Sequence, residues 1–429
     1  MIFRKLSICG IVAVFAGQCF AQKLTMDDAI RLAKQNNGTL KAAMEDLVSA
    51  KARKTQANSS FLPTLTPSVT YTNSLREIPS ASFGNTTSSY DQTTTQAALS
   101  WRVLDAGQRL ASLRAARESV SAQTASTEET LRQIIFNVVS QFLETLRAQE
   151  LEKVSDAQLA RANKVLDQTK ARVTLGDAAQ REILQAEADA LNAKVNSITS
   201  RNRTSTNAAT LKSIIGAQND YANPDLEPVT FAEQTDLPGS MGDAVDVGLK
   251  TRPDLISQRK SVSSQVQSLR GTEIDAGVTW TLDLSYNRQF SPAASSNRNT
   301  TFLLSYPLFD GGKSKAMVQE GRASVESAKA RLGQAEKDAR SEIEATYLTY
   351  HQNEQALESA DLALKAARLN FDAAEGSQKA GASSLIDVIT AQVSLVTAES
   401  NYIEATYDLL ISQLKLRLVT GLPMPGEDV

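Results

Sequence analysis

Tyr306-Pro307-Leu308-Phe309-Asp310-Gly311-Gly312 repeats Trp101-Arg102-Val103-Leu104-Asp105-Ala106-Gly107 at a spacing of 205 residues. Downstream the spacing persists, from Gly176 to Gly381, Ala186 to Ala391 and Gly216 to Gly421. Upstream it is 215, relating Ala29 to Ala244, Leu40 to Leu255 and Tyr71 to Tyr286, so the one change of length falls between Tyr71 and Asp105. A single unit of helix, two strands, very long helix and second helix is therefore used twice. The expected division is a leader at 1–21, a first repeat at 22–238 and a second at 239–429. Strand hairpins are expected at about 61–103 and 277–308, and helical hairpins at about 105–216 and 310–421.

Each echo opens a long helix. Gln108 to Leu175 is 68 residues without Pro or Gly, about 100 Å as one helix. Lys313 to Ala380 matches it, interrupted by Gly321, Gly333 and Gly376. Both turn at a glycine into a return helix of about 40 residues, roughly 60 Å. Opening helices are expected at about Met26 to Ala57 and Gly242 to Leu269; laid end to end with a return helix, each matches one long helix, as in a rod. Val388, Leu395, Tyr402 and Leu409 recur every seven residues, with Ala391, Ala398, Ala405 and Ser412 three positions later. That is a coiled-coil seam with a row of small residues.

The strands decide the environment. Val278, Trp280, Leu282, Leu284 and Tyr286 alternate with Thr279, Thr281, Asp283, Ser285 and Asn287; Phe302, Leu304, Tyr306 and Leu308 line one face of the partner strand. In the first copy Leu65, Val69 and Tyr71 alternate with Thr and Ser, and Ala97, Leu99, Trp101 and Val103 with Ala98, Ser100 and Arg102. Alternation with period two puts one face in an apolar medium and one in water. Strands of about ten residues are long enough to cross a bilayer at a tilt. Leu65, Val69, Leu99, Trp101, Trp280, Leu282, Leu284, Phe302 and Leu304 are the expected lipid-facing side chains. A half-buried sheet under a soluble domain would show the same alternation, but no other segment is left to cover it. Four strands are too few for a transmembrane barrel, the smallest of which need about eight, so the chain must oligomerise; three copies give twelve strands with no open edge. Asn73 to Gln92 and Ser291 to Asn299 are polar connectors, and Ala217 to Gly239 links the copies.

Arg4 and Lys5, the apolar stretch Leu6 to Phe15 and Cys19-Phe20-Ala21 are the three regions of a secretory signal. Gln18 argues against lipidation at Cys19. Both cysteines, Cys9 and Cys19, lie in this leader, which excludes disulfides, thiol catalysis and cysteine metal sites in the mature chain. The formal net charge is −3, or −5 once Arg4 and Lys5 are removed, and carries no nucleic-acid footprint.

Gly311-Gly312-Lys313-Ser314 ends like a phosphate-binding loop, but Pro307 stands where that loop needs glycine. It reads better as a strand-to-helix turn in which Asp310, like Asp105, caps a long helix. His351 is the only histidine, so neither a zinc site nor a Ser-His pair is available to it. No constellation supports catalysis and no cofactor is expected. Glu182 and Asp387 each follow a turn glycine, Gly176 or Gly381, by six residues. Around a threefold axis each would form a ring of three; alone, each is a solvated acid at a helix start.

The duplicated unit, the stretches Met26-Asp27-Asp28-Ala29-Ile30 and Asn36-Asn37-Gly38-Thr39-Leu40, the turn ending at Gly312 and the two Gly-x5-acid tips resemble the TolC family of outer-membrane efflux and secretion ducts. The resemblance runs over about residues 24–421 and implies a mainly α fold with a β-barrel. It implies a homotrimer whose twelve-stranded outer-membrane barrel continues into a periplasmic α-helical barrel. The implied partners are a periplasmic adaptor and an inner-membrane transporter of the RND, ABC or MFS class, docked at Thr174, Leu175, Gly176, Ala380, Gly381 and Ala382. The implied pore constriction is Asp387; where relatives often carry a second aspartate one turn later, this chain has Thr390. The tyrosine and arginine that brace the closed state in the best-known member align with Gln378 and Ser383. A periplasmic coiled-coil structural or adhesive protein is the rival reading, and it leaves the strand alternation unexplained.

Overall fold

A computed structural model describes residues 24–80, 84–216, 226–228, 237–275, 277–291 and 293–427. The expected leader and most of the expected linker lie outside them. The order is α1 (Met26–Asn36), α2 (Gly38–Ser59), β1 (Thr64–Ser80), β2 (Gly84–Leu104), α3 (Gln108–Leu175), α4 (Gln180–Ile215), α5 (Met241–Thr251), α6 (Pro253–Asp275), β3 (Thr279–Ser291), β4 (Ser295–Ser305), α7 (Lys313–Lys379) and α8 (Leu385–Thr420).

The strands form one antiparallel sheet in the order β1-β2-β3-β4. The helices continue it as four tracks in the same order. α2 and α4 lie along successive stretches of α3: Thr127 donates to the Ala43 carbonyl, and Thr204 to that of Ala148. α6 and α8 share the next track, joined to α3 by Ser264 Oγ to the Ala115 carbonyl and by Arg147 to Asp408 at 2.8 Å. α7 completes the wall, held to α6 by Arg259–Glu336 and to α8 by Lys415–Glu342.

The opening helix is not continuous in either copy. It breaks at Asn37 and at Arg252, equivalent positions at the 215 spacing. Asn37 turns extended (ψ 119°) and its side chain accepts the N–H groups of Thr39 and Leu40, starting α2. Arg252 is held extended (ψ 122°) by Pro253. α7, in contrast, runs unbroken through Gly321, Gly333 and Gly376.

The core sits where tracks meet end to end. Val138, Phe142 and Leu211 are fully buried with Ala29 and Ile30, and their equivalents Ile343, Tyr347 and Leu416 are buried with Ala244 and Val245. Each large side chain contributes roughly 1.5–3 kcal/mol of burial. The seams match as well: a Cβ on Gly216 would lie 2.6 Å from Asn36 Cβ, and one on Gly421 2.6 Å from Thr251 Oγ1 and 2.8 Å from its carbonyl carbon. Both glycines are left-handed, at φ 70° and 69°. Gly421→Ala is therefore expected to cost roughly 2–5 kcal/mol, combining left-handed strain of about 1–2 with overpacking of about 1–3. Gly176→Ala, at φ 84° but in open space, should cost only about 1 kcal/mol. Denaturant midpoints of the two variants in detergent check this; equal shifts would refute it.

The hairpins differ from the sequence expectation in length. β1 and β2 are 17 and 21 residues, against 13 and 11 for β3 and β4. Asn73 to Gln92 is thus largely a continuing two-stranded ribbon, paired from Asn73–Asp91 up to Ser80–Gly84. β4 stops at Ser305, leaving Tyr306 and Leu308 outside the ladder, because Pro307 has no N–H to donate. Val103 falls in an irregularity between Arg102 and Leu104, so Leu104, not Val103, pairs with Trp280.

Candidate functional site

Two places carry the functional geometry: the ends of the helical hairpins and the faces of the sheet. α3 ends at left-handed Gly176, with Gly176 N bonded to the Val173 carbonyl and Asp177 N to that of Arg172. α7 ends at Ala380, and left-handed Gly381 directs the Ala382 N–H to the Ser377 carbonyl at 2.9 Å. Glycine is needed at both because only a residue without Cβ adopts this conformation at low cost. Thr174, Leu175, Gly176, Ala380, Gly381 and Ala382 are all exposed. The two tips adjoin. A crevice of about 360 Å³ lies between them, lined by Arg172, Arg181, Glu182 and Gln185 of one and Ser383 to Ile386 of the other.

Asp387 begins α8 in a capping box with Ser384. Its Oδ2 accepts the Ser384 N–H at 2.9 Å and the Ser384 and Ser383 hydroxyls at 2.8 and 3.5 Å, while Ser384 Oγ accepts the Asp387 N–H at 3.3 Å. The bonds from the Ser384 backbone and hydroxyl hold this carboxyl below the ordinary carboxylate range. Glu182 plays the same part at α4, accepting the Ala179 N–H at 3.4 Å, and lies 3.9 Å from Arg172. The pattern Ser384-x-x-Asp387 carries a legible signal for this capping role. Asp387, Thr390, Ser394 and Thr397 form one exposed polar row, alongside the buried row Val388, Ala391, Leu395 and Ala398. Sequence reasoning missed Gln392, fully buried in α8 with neither amide atom bonded among the described residues.

The sheet register sorts the other expected residues. Directly paired residues share a face. One rung joins Leu65, Leu99 and Leu284; another joins Trp101, Leu282 and Phe302; a third joins Leu104, Trp280 and Leu304. Val69 sits higher, beside Thr95 and Arg288, where this face turns polar. The opposite face carries Thr66, Ala98, Ser285 and Asn299, then Ser68, Gln96, Asn287 and Asn297. Phe302 is 77% and Leu65 68% exposed, so among the described residues nothing covers these apolar side chains. No helix is long and apolar enough to cross a membrane among the described residues.

At the strand-to-helix turn Asp310 accepts the N–H groups of Gly312 at 2.9 Å and Ser314 at 2.8 Å. Those donors are thereby occupied rather than presented to a phosphate. Asp105 does the same for Gly107 and Arg109, and Arg109 also reaches the Ser60 carbonyl. His351 contacts Glu354 and the rings of Tyr347 and Tyr350.

The profile of the family described as outer membrane efflux protein matches residues 29–217 and 249–422. The chain belongs to that family. Among relatives, the outer membrane efflux protein BepC of Brucella suis is 22% identical to this efflux protein over 420 residues, 95% of this chain and 87% of BepC. The outer membrane protein TolC of Escherichia coli K12 is 23% identical over 411 residues, 91% of this chain and 80% of TolC. The Campylobacter jejuni CmeC outer membrane channel has the same fold, with a TM-score of 0.82 at 17% identity over 92% of this chain and 85% of CmeC. Membership places the efflux protein in the outer membrane, as an efflux channel protein; the coiled-coil adhesive reading finds no support.

Proposed function

We propose that three copies of this chain, exported through the leader at 1–21, form a passive exit duct between periplasm and exterior. The open antiparallel sheet carries the reading. Among the described residues its apolar face is exposed and the outer edges of β1 and β4 pair with no strand, and each strand stands on its own helix track. β1 and β4 run in opposite directions, so β4 of one copy meets β1 of the next antiparallel. Three copies close into twelve strands over twelve tracks, which removes every edge. The repeats at 22–238 and 239–429 then alternate around the wall. The lipid-facing band comprises Leu65, Leu99, Trp101, Trp280, Leu282, Leu284, Phe302 and Leu304, with Val69 at its margin.

The tips point away from the membrane and take the docking role, with a periplasmic adaptor and an energised inner-membrane RND, ABC or MFS transporter as partners. The duct has no chemistry of its own, and the transporter supplies the energy. The constriction is Asp387, with Thr390 one turn on and Glu182 on the other tip. A large side chain at an exposed tip residue tests the docking role without disturbing packing. Ala382→Trp is expected to leave the trimer mass unchanged in detergent light scattering and to abolish transport in cells. Transport by an intact Ala382→Trp trimer would remove the tips from the dock, and a monomer in the wild-type preparation would remove the duct.

A further inference from the structure

The apolar face of the sheet ends in a pair of arginines. The helices join the strands near Thr64, Leu104, Thr279 and Ser305, so the opposite end of the sheet is the outer one in a protein that extends into the periplasm. On the apolar face, the alternate positions from Leu65 to Tyr71 in β1, Thr93 to Trp101 in β2 and Trp280 to Tyr286 in β3 carry no charge. Arg288 and Arg298 stand at the outer margin of this face. Arg298 pairs with Tyr286 and Arg288 with Ser296, which makes the arginines diagonal neighbours with Cα atoms about 7–8 Å apart.

Both side chains are exposed. Each guanidinium lies over a ring: Arg288 is 5.1 Å from the centroid of Phe290, and Arg298 is 5.8 Å from that of Tyr286. Neither guanidinium has a carboxylate partner or a hydrogen bond among the described residues. Asp91, higher on the same face of β2, is instead engaged by Tyr71 and Asn73, at 3.1 and 2.6 Å. Two like charges this close repel unless an anion bridges them. The rings of Tyr71, Tyr286 and Phe290 gather at this level, as aromatic side chains do at a membrane–water boundary. Trp280 to Arg288 covers about 26 Å of strand, comparable with the apolar band of about 25 Å in outer-membrane barrels.

Resting on the lipid-facing assignment proposed above, we propose that Arg288 and Arg298 bind the phosphate of an outer-leaflet lipid headgroup, one site per copy. A guanidinium offers a planar fork of N–H donors that phosphate oxygens accept two at a time, and the stacked rings hold the two forks on one side of the sheet. The acyl chains of the same lipid then lie along Leu284 and Leu282, the next rungs inward on that face. Headgroup and chains are thus met by one continuous surface, whereas a free anion would use only its charged margin.

The test titrates the full-length protein, assembled in nonionic detergent, with diphosphorylated lipid A and counts bound lipid by native mass spectrometry. Arg288→Gln with Arg298→Gln is expected to bind at least about tenfold more weakly than wild type, while sedimenting as wild type does. Wild type should show the same loss toward lipid A stripped of its phosphates. Equal affinity in the double variant, or for the stripped lipid, would overturn the site. Displacement of lipid A by an equal concentration of inorganic phosphate would make it a free-anion site and overturn the lipid assignment. The underlying face has its own readout, because Trp101 and Trp280 are the chain's two tryptophans and both lie on it. Brominated-chain phosphatidylcholine should quench their fluorescence. Quenching without an arginine effect would sink this site alone; absence of quenching would sink the lipid-facing assignment and the site with it.

Discussion

Leu284→Arg is expected to strip the efflux protein from the outer membrane, whereas Ser285→Arg, one residue along β3, is expected to leave it there. Leu284 pairs with Leu99, which pairs with Leu65, in the middle of the apolar face. Ser285 pairs with Ala98 and Asn299 on the other. A guanidinium on the lipid side must be desolvated or must drag water and headgroups inward, at about 2–4 kcal/mol near the bilayer midplane. In a trimer this applies three times, once per copy. On the lumen side the same group stays hydrated and costs little. The check is the amount of each variant in outer-membrane fractions and its sedimentation as a trimer. Equal loss would overturn the assignment of faces, and loss of Ser285→Arg alone would reverse it.

Asp387→Ala is expected to abolish most of the block by multivalent cations from the periplasmic side in planar bilayers and to raise conductance. Three carboxylates drawn together on a narrow axis attract cations and repel anions, and Thr390 adds no second ring. The carboxylate is ionised at neutral pH, because its bonds to Ser384 stabilise the charged form. The capping role has its own pH signature. The folded-state pKa lies below the unfolded one, so the cap's stabilisation is present at neutral pH and is lost as pH falls through the folded value. Asp387→Asn separates the roles: it retains an acceptor for the Ser384 N–H but removes the charge. If charge makes the constriction, Asn behaves as Ala does; Glu182→Ala, beside Arg172, should do less. Unchanged block and ion preference in Asp387→Ala would leave the residue a helix cap and nothing more.

The sequence by itself determined the elements and their repetition. A run of 68 residues without Pro or Gly has no stopping point before Gly176, so α3 spans Gln108 to Leu175. Error-free alternation in β3 and the left-handed turns at Gly176 and Gly381 are local effects, legible because sterics and solvent act residue by residue. The expected helix from Gly242 to Leu269 overlooked a signal for the break at Arg252, since Pro253 disfavours a helical Arg252. The ribbon from Asn73 to Gln92 was not legible: water on both sides imposes no alternation, and Ser and Thr suit a loop as well as a strand.

Only the tertiary structure decided which element covers which face. Heptads mark Val388, Leu395 and Ala398 as buried but do not say that α8 lies between α3 and α7. Likewise, an acid six residues past a glycine does not reveal that Asp387 is already bonded to Ser384. Apolar burial is non-directional, so a stripe specifies that it must be covered and not by what. The ladder registers and the track order supply that partner, and they leave Leu191, Ile198, Leu362 and Leu369 exposed among the described residues.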